Sequence, residues 1–173
     1  DVALCWYAQP GALARYPKLK LVQSLAAGPD HLFASLEGVA PHVPLCRTVD
    51  PYMSQAMAGY VCWAVLQQQR QLRLYGTQQG QALWQRSPVE PAVNRCVGVA
   101  GLGHLGLAAA QALRDLGYSV RGWSRSPKDD LPEGIQGCAG DAQLSAFLQG
   151  GDTLVCLLPL TAQTRGFIGD RVL

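Results

Sequence analysis

The chain has 173 residues, 14 Lys+Arg against 12 Asp+Glu for a formal net charge of +2, 49% hydrophobic and only 15% charged residues. That balance describes a compact enzyme-like chain with a core to bury, and argues against a disordered segment or a basic nucleic-acid binder. A net charge of +2 gives no basic patch for nucleic acid, and no apolar run reaches the ~18 residues that span a bilayer, so neither is an expected partner.

The chain opens without Met inside the strand-like run Val2–Tyr7, closed by the turn Gln9-Pro10-Gly11. Leu19–Leu25 is a second strand, and Ala26-Ala27-Gly28-Pro29-Asp30 a sharp loop after it. Asp30 is placed to cap a short helix His31–Leu36, closed by Gly38, and Pro44–Thr48 is a third strand. These loops follow strand C-termini, where open α/β sheets bind ligands. Asp50-Pro51 starts the longest helix, read to about Leu74, with Met53, Met57, Val61 and Val65 recurring every four residues and Tyr60, Ala64 and Leu72 widening the stripe. Its apolar face is read as core packing or a subunit contact rather than a cofactor box. From Tyr75 to Asn94 the pattern breaks into Gln-rich and Pro-containing sequence, which places an interdomain linker at 88–94.

The organising stretch follows. Cys96–Ala100 (CVGVA) reads as a strand buried on both faces, Gly101-Leu102-Gly103-His104-Leu105-Gly106 is a G-x-G-x-x-G, and a helix follows at once. Leu105, Ala108, Ala109, Ala112, Leu113 and Leu116 form its expected inner stripe, with Gly117 as C-cap. Ser119–Trp123 completes a β-α-β unit. Gly101 permits the tight turn, Gly103 lets the backbone approach a pyrophosphate, and Gly106 lets helix and strand pack closely. The helix N-terminus then favours phosphate through its free amides and dipole. Ser124–Gly140 is read as irregular, and Asp141 as the cap of a helix through Gln149 with Leu144 and Leu148 inward. Thr153–Leu158 is another buried strand, stopped by Pro159. The chain stops at Leu173 as a helix begins near Arg171, so both ends are read as cut from a longer protein.

Cofactor choice is read at the end of the second strand. An NAD site places an Asp or Glu there, ~20 residues past the glycines, to hold the ribose hydroxyls. Here Trp123 runs into Ser124-Arg125-Ser126-Pro127-Lys128, Asp115 sits on the preceding helix and Asp129-Asp130 lie beyond the turn. Ser124, Arg125, Ser126 and Lys128 match a 2′-phosphate, so NADP(H) is expected to be preferred with NAD(H) remaining possible. The alternative is a solvated basic turn. The six cysteines form no C-x-x-C and are read as small hydrophobes in a reducing cytoplasm, with no metal site.

This order of elements, with Gly28-Pro29-Asp30, Gly101–Gly106, Trp123–Lys128, and Leu157-Leu158-Pro159-Leu160-Thr161 followed by Thr164-Arg165-Gly166, resembles the D-isomer-specific 2-hydroxyacid dehydrogenases, and within them the glyoxylate/hydroxypyruvate reductase branch. The resemblance implies an α/β architecture: a Rossmann-type doubly wound parallel sheet beside a flavodoxin-like α/β substrate domain, both incomplete here. On that basis residues 1–87, including helix 51–74, are part of the substrate domain, and 95–173 the first half of the dinucleotide-binding domain. The resemblance further implies that Trp6 and the Ala26, Ala27 and Gly28 amides meet the substrate. Leu157, Leu158, Pro159 and Thr164 are implied to border the cofactor beside Gly101, Gly103, His104, Leu105, Gly106 and Trp123. Strand termination alone would equally place Pro159, a tight turn Gly28-Pro29, and a buried strand Trp6. The family's catalytic Arg, Glu and His fall beyond Leu173, so no catalytic residue is assigned. The implied function is reduction of a small 2-oxo acid by hydride transfer in a cleft between the domains of a homodimer. A dinucleotide-sensing regulator or a hydrolase that retains its nicotinamide are the competing readings.

Overall fold

The computed structural model describes residues 1–169 and 172; the helix read as starting at Arg171 lies outside the described residues. Two compact units are present, Asp1–Met53 with Pro159–Phe167, and Ser54–Leu158 with the run from Ile168.

In the first unit β1 (Val2–Cys5), β2 (Leu21–Ser24) and β3 (Leu45–Cys46) lie side by side in that order, all parallel. Consecutive parallel neighbours are also found within the flavodoxin-like order 2-1-3-4-5. The strands are shorter than expected, and the crossovers are 3-10 helices, Ala12–Arg15 and Asp30–Leu36. Val22 and Leu32 are fully buried, packed with Cys5, Leu13 and Leu19. Asp30 is not the cap: Pro29 holds that position, and no side chain bonds to the helix start.

The second unit is built on four parallel strands: β4 (Cys96–Ala100), β5 (Ser119–Ser124), β6 (Ile135–Ala139) and β7 (Thr153–Cys156), in the order β6-β5-β4-β7. Numbered within the sheet this is 3-2-1-4, the order of the Rossmann half that carries the phosphates. β6 replaces the irregular stretch expected there. As an edge strand with Gln136 and Gly137 exposed, it shows little apolar pattern, and its pairing with β5 (Val120↔Ile135 to Ser124↔Ala139) defines it.

Three helices adjust the expectations. The long helix stops as α1 (Pro51–Gln69), because Gln71 adopts a left-handed φ of 52°; α2 (Leu72–Gly80) then continues into sequence read as broken. Val61 and Val65 of α1 are buried with Val97, Val99, Leu113 and Tyr118. Residues 54–69 therefore belong to the same core as the glycine-rich half, not to the first unit, and segment 88–94 is interior to that unit: Gln69 Nε2 donates to the Glu90 carbonyl at 2.8 Å and Ala92 packs on the core. α3 (His104–Asp115) buries Gly106, Ala109, Ala110 and Leu113, while Leu116 is exposed. The face is turned by one position from the expected stripe because Gly106 has to abut the turn before it. A 3-10 turn at Asp141–Gln143 leads into α4 (Leu144–Leu148), whose anchor is Phe147 rather than the half-buried Leu144 and Leu148. Gly98 in β4 admits that ring: a Cβ there would lie 3.1 Å from Phe147 Cζ.

Candidate functional site

In a 3-2-1-4 sheet the direction of winding changes between the first and fourth strands, and the crevice outside their C-terminal ends binds ligands. Here that point lies between β4 and β7, and the glycine-rich turn fills its mouth. Gly101 has φ +102°, and a Cβ on it would be 2.9 Å from the Leu157 carbonyl carbon and oxygen. Only glycine combines that backbone with such an approach of the β7 loop. A Cβ on Gly106 would lie 1.7 Å from the Gly101 oxygen, so helix and turn touch backbone to backbone. Leu102, 5% exposed, points the other way and fills the space left by Gly122.

Gly103 differs. Its φ of −78° suits any residue and a Cβ would meet nothing within 4 Å, so no contact within the chain requires glycine there. The requirement that fits is a ligand lying against its backbone. Gly103 gives α3 no side-chain cap, and the Leu107 amide makes the first bond back, to the Gly103 carbonyl at 2.8 Å. The amides of His104, Leu105 and Gly106 precede that bond and face the crevice end, as an anion site needs. His104 itself is exposed and Leu105 half-buried. These features fit a dinucleotide pyrophosphate.

At the end of β5 the expected set divides. Trp123 is buried and its indole donates to the Gly140 carbonyl at 3.0 Å; Ser124 is buried and its hydroxyl donates to the Ser126 carbonyl at 2.8 Å. Both therefore shape the turn, and Ser124 spends its proton inside it. Arg125, Ser126 and Lys128 are exposed. Asp115 is paired with Arg114 at 2.7 Å on α3, and residues 124–128 at the β5 end include no carboxylate. Leu157 and Leu158 are half-buried against Gly101. Pro159 and Thr164 fall in the other compact unit, where the Thr164 hydroxyl bonds to the Pro159 carbonyl and pairs with Thr161 Oγ1 at 3.0 Å.

The substrate-loop residues sit at the C-terminal edge of the first sheet. Cys5 pairs with Ser24 in register, and the Leu25 amide donates to the Cys5 carbonyl at 3.0 Å, so Trp6 directly follows the strand beside the loop. Trp6 is 57% exposed, not the buried strand residue that was the alternative, and stands edge-on to Tyr7. Ala26, Ala27 and Gly28 are half-buried. Three residues that sequence reasoning passed over hold them. Fully buried Ser24 accepts from the Ala26 amide at 3.1 Å; Thr48 takes the Ala26 carbonyl through its amide at 3.1 Å and the Ser24 carbonyl through its hydroxyl at 2.9 Å; Arg47 Nη1 donates to the Ala27 carbonyl at 3.2 Å. Arg47 and Thr48 had registered only as the tail of the third strand, and no local signal marks their reach across to the loop.

Geometry of this kind fits a dinucleotide-binding unit, and a separate α/β unit carries the loop 26–28 at the C-terminal end of its strands. The chain belongs to the D-isomer specific 2-hydroxyacid dehydrogenases: residues 62–173 match that family's NAD binding domain. The match begins inside α1, in keeping with the packing of that helix in the second unit. The chain is 40% identical over 178 residues to a glyoxylate/hydroxypyruvate reductase A of Yersinia enterocolitica, covering 99% of this chain and 56% of the relative. Among solved structures it is similar to a D-isomer specific 2-hydroxyacid dehydrogenase of Xanthobacter autotrophicus in complex with NADPH and MES (TM-score 0.88, 42% identity, 98% of this chain and 52% of that one). It is also similar to an NADPH-dependent glyoxylate/hydroxypyruvate reductase of Sinorhizobium meliloti in complex with NADP and sulfate (TM-score 0.88, 39% identity, 96% and 51%). The chain thus spans about half the length of these relatives. Among the described residues no helix is long and apolar enough to cross a membrane.

Proposed function

We propose that this protein is an NADPH-preferring reductase of a small 2-oxo acid of the glyoxylate or hydroxypyruvate class, acting as a homodimer in the cytoplasm. The observation that carries the reading is the open face of Gly103 above the bare amides of α3, next to a β5 end with Arg125 and Lys128 in place of a carboxylate. When bound, the cofactor supplies the hydride for the substrate carbonyl carbon. The share of this chain is binding and orientation. The His104, Leu105 and Gly106 amides hold the pyrophosphate, while Leu157 and Leu158 border it. Arg125, Ser126 and Lys128 grip the 2′-phosphate, with the guanidinium matching two of its oxygens. The Ala27 and Gly28 amides hold the substrate carboxylate beside Trp6. The domain assignment follows the cores: 54–158 carry the cofactor half, and 1–53 the substrate loop.

The test is the ratio of kcat/KM for NADPH and NADH with glyoxylate and hydroxypyruvate in the protein that contains this chain. NADPH is expected to win. Arg125→Ala removes a charge-assisted contact worth about 1.5–3 kcal/mol and should weaken NADPH at least tenfold while leaving NADH nearly unchanged. An unaltered protein that prefers NADH overturns the cofactor assignment, and binding of NADPH without turnover of either acid favours a regulator.

A further inference from the structure

We infer that Arg47, with Thr48 and Ser24, is a positioning residue that aims the substrate-loop amides, a role that rests on the proposed use of that loop as the carboxylate site. A trans peptide is planar, with its N–H opposed to its C=O, so fixing a carbonyl fixes the direction of the next residue's amide. The Ala26 carbonyl is held by the Thr48 amide at 3.1 Å, with the Ser24 hydroxyl at 3.4 Å. That plane carries the Ala27 N–H. The Ala27 carbonyl is held by Arg47 Nη1 at 3.2 Å, and that plane carries the Gly28 N–H. Two successive carbonyls are drawn to one side, and two successive amides are left on the other. Among the described residues neither the Ala27 nor the Gly28 amide has an acceptor in the chain. The result is a nest for two carboxylate oxygens, held by side chains that reach over from the loop after β3.

Charge adds to geometry. A Cβ on Gly28 would lie 2.6 Å from Asp30 Oδ1, so a carboxylate already stands beside the nest and repels an anionic substrate. The Arg47 guanidinium, bound to the same loop, offsets that field. Thr48 and Ser24 hold the first peptide plane through backbone-like contacts inside the unit. Arg47 is exposed and, among the described residues, is the one donor to the Ala27 carbonyl, so it can be changed with little effect on folding.

The experiment uses the full-length protein with NADPH. Arg47→Met should raise KM for the 2-oxo acid about tenfold, the factor expected for losing one hydrogen bond from a charged donor, with kcat, KM for NADPH and Tm little changed. Arg47→Lys, which keeps a cationic donor, should recover most of that loss. In parallel, the 15N-alanine and 15N-glycine amide signals of Ala27 and Gly28 are followed on adding oxamate, a 2-oxo acid mimic, to the protein with NADP. If those signals do not respond, the loop is not the carboxylate site and the underlying reading fails. If they respond but Arg47→Met leaves KM unchanged, the positioning role fails by itself. Equal losses in kcat, NADPH binding and Tm would make Arg47 a general structural residue and overturn the inference as well.

Discussion

A Cβ on Gly106 would stand 1.7 Å from the Gly101 oxygen, whereas one on Gly103 would meet nothing within 4 Å. The two glycines of one motif therefore differ: the fold requires Gly106, whereas Gly103 is left to the proposed cofactor contact. Gly106→Ala has to push α3 away from the turn and should cost at least ~2 kcal/mol of stability, the scale of overpacking against backbone that cannot rotate aside. Gly103→Ala should cost under ~1 kcal/mol, mainly the poorer cap, yet weaken NADPH more than tenfold. Thermal unfolding and cofactor titration of the two variants check the contrast, and equal stability losses would contradict it. Cys62 and Cys96 illustrate the quieter residues: burial pushes both thiols up, so they stay protonated and pack as small hydrophobes.

At the scale of elements, the start of β4 is latched to the loop before β7. Asp152 Oδ2 accepts from the Cys96 amide at 2.7 Å and Oδ1 from Arg95 at 2.9 Å. The backbone bond first, and then Arg95 against a partial desolvation, hold its carboxyl below the usual carboxylate range. A depressed folded-state value stabilises the fold above the unfolded value of ~3.9 and loses that contribution as pH falls through the folded one. Asp152→Asn should therefore lower stability by about 0.5–1 kcal/mol at neutral pH, a figure already discounted for the exposure of the pair, and the gap to the parent should close as pH falls through the folded-state value. Unfolding curves at several pH values check this, and a gap that does not depend on pH would contradict it. The latch aligns β4 and β7 at their N-terminal ends and so sets the crevice at their other ends.

For the whole molecule, α1 divides its faces. Val61 and Val65 are buried inside the unit, while Tyr52, Tyr60 and Trp63 are 80%, 63% and 53% exposed, with the Tyr60 and Trp63 rings 5.7 Å apart. Exposed aromatics grouped on a helix support the proposed subunit contact. Light scattering should give a dimer at micromolar concentration, and Tyr60→Glu with Trp63→Glu a monomer with an unchanged circular dichroism spectrum. A monomeric parent protein would remove the proposal.

What could be read directly from sequence was local. The unit Cys96–Trp123 carries strand, turn and helix signals within thirty residues, and Gly101 and Gly106 sit where backbone conformation and close approach demand glycine. The basic β5 end was legible for the same reason, since an absent acid is visible in the chain. Position in space was not. Nothing in Met57–Val65 says which sheet its apolar stripe covers, and only packing against Val97, Val99 and Tyr118 assigned it to the second unit. β6 has too little apolar pattern to be seen without β5 beside it, and the helical pattern past Leu72 was hidden because a left-handed Gln71 resets its phase. Ser124 looked like a phosphate donor until the turn bent its hydroxyl back to Ser126. Arg47 lies twenty residues from the carbonyl that it holds, and parallel pairing of β2 with β3 is what brings the two loops together. Periodicity and backbone preference act over a few neighbours and can be read along the chain; which faces meet depends on long-range burial, and only the folded chain decides that.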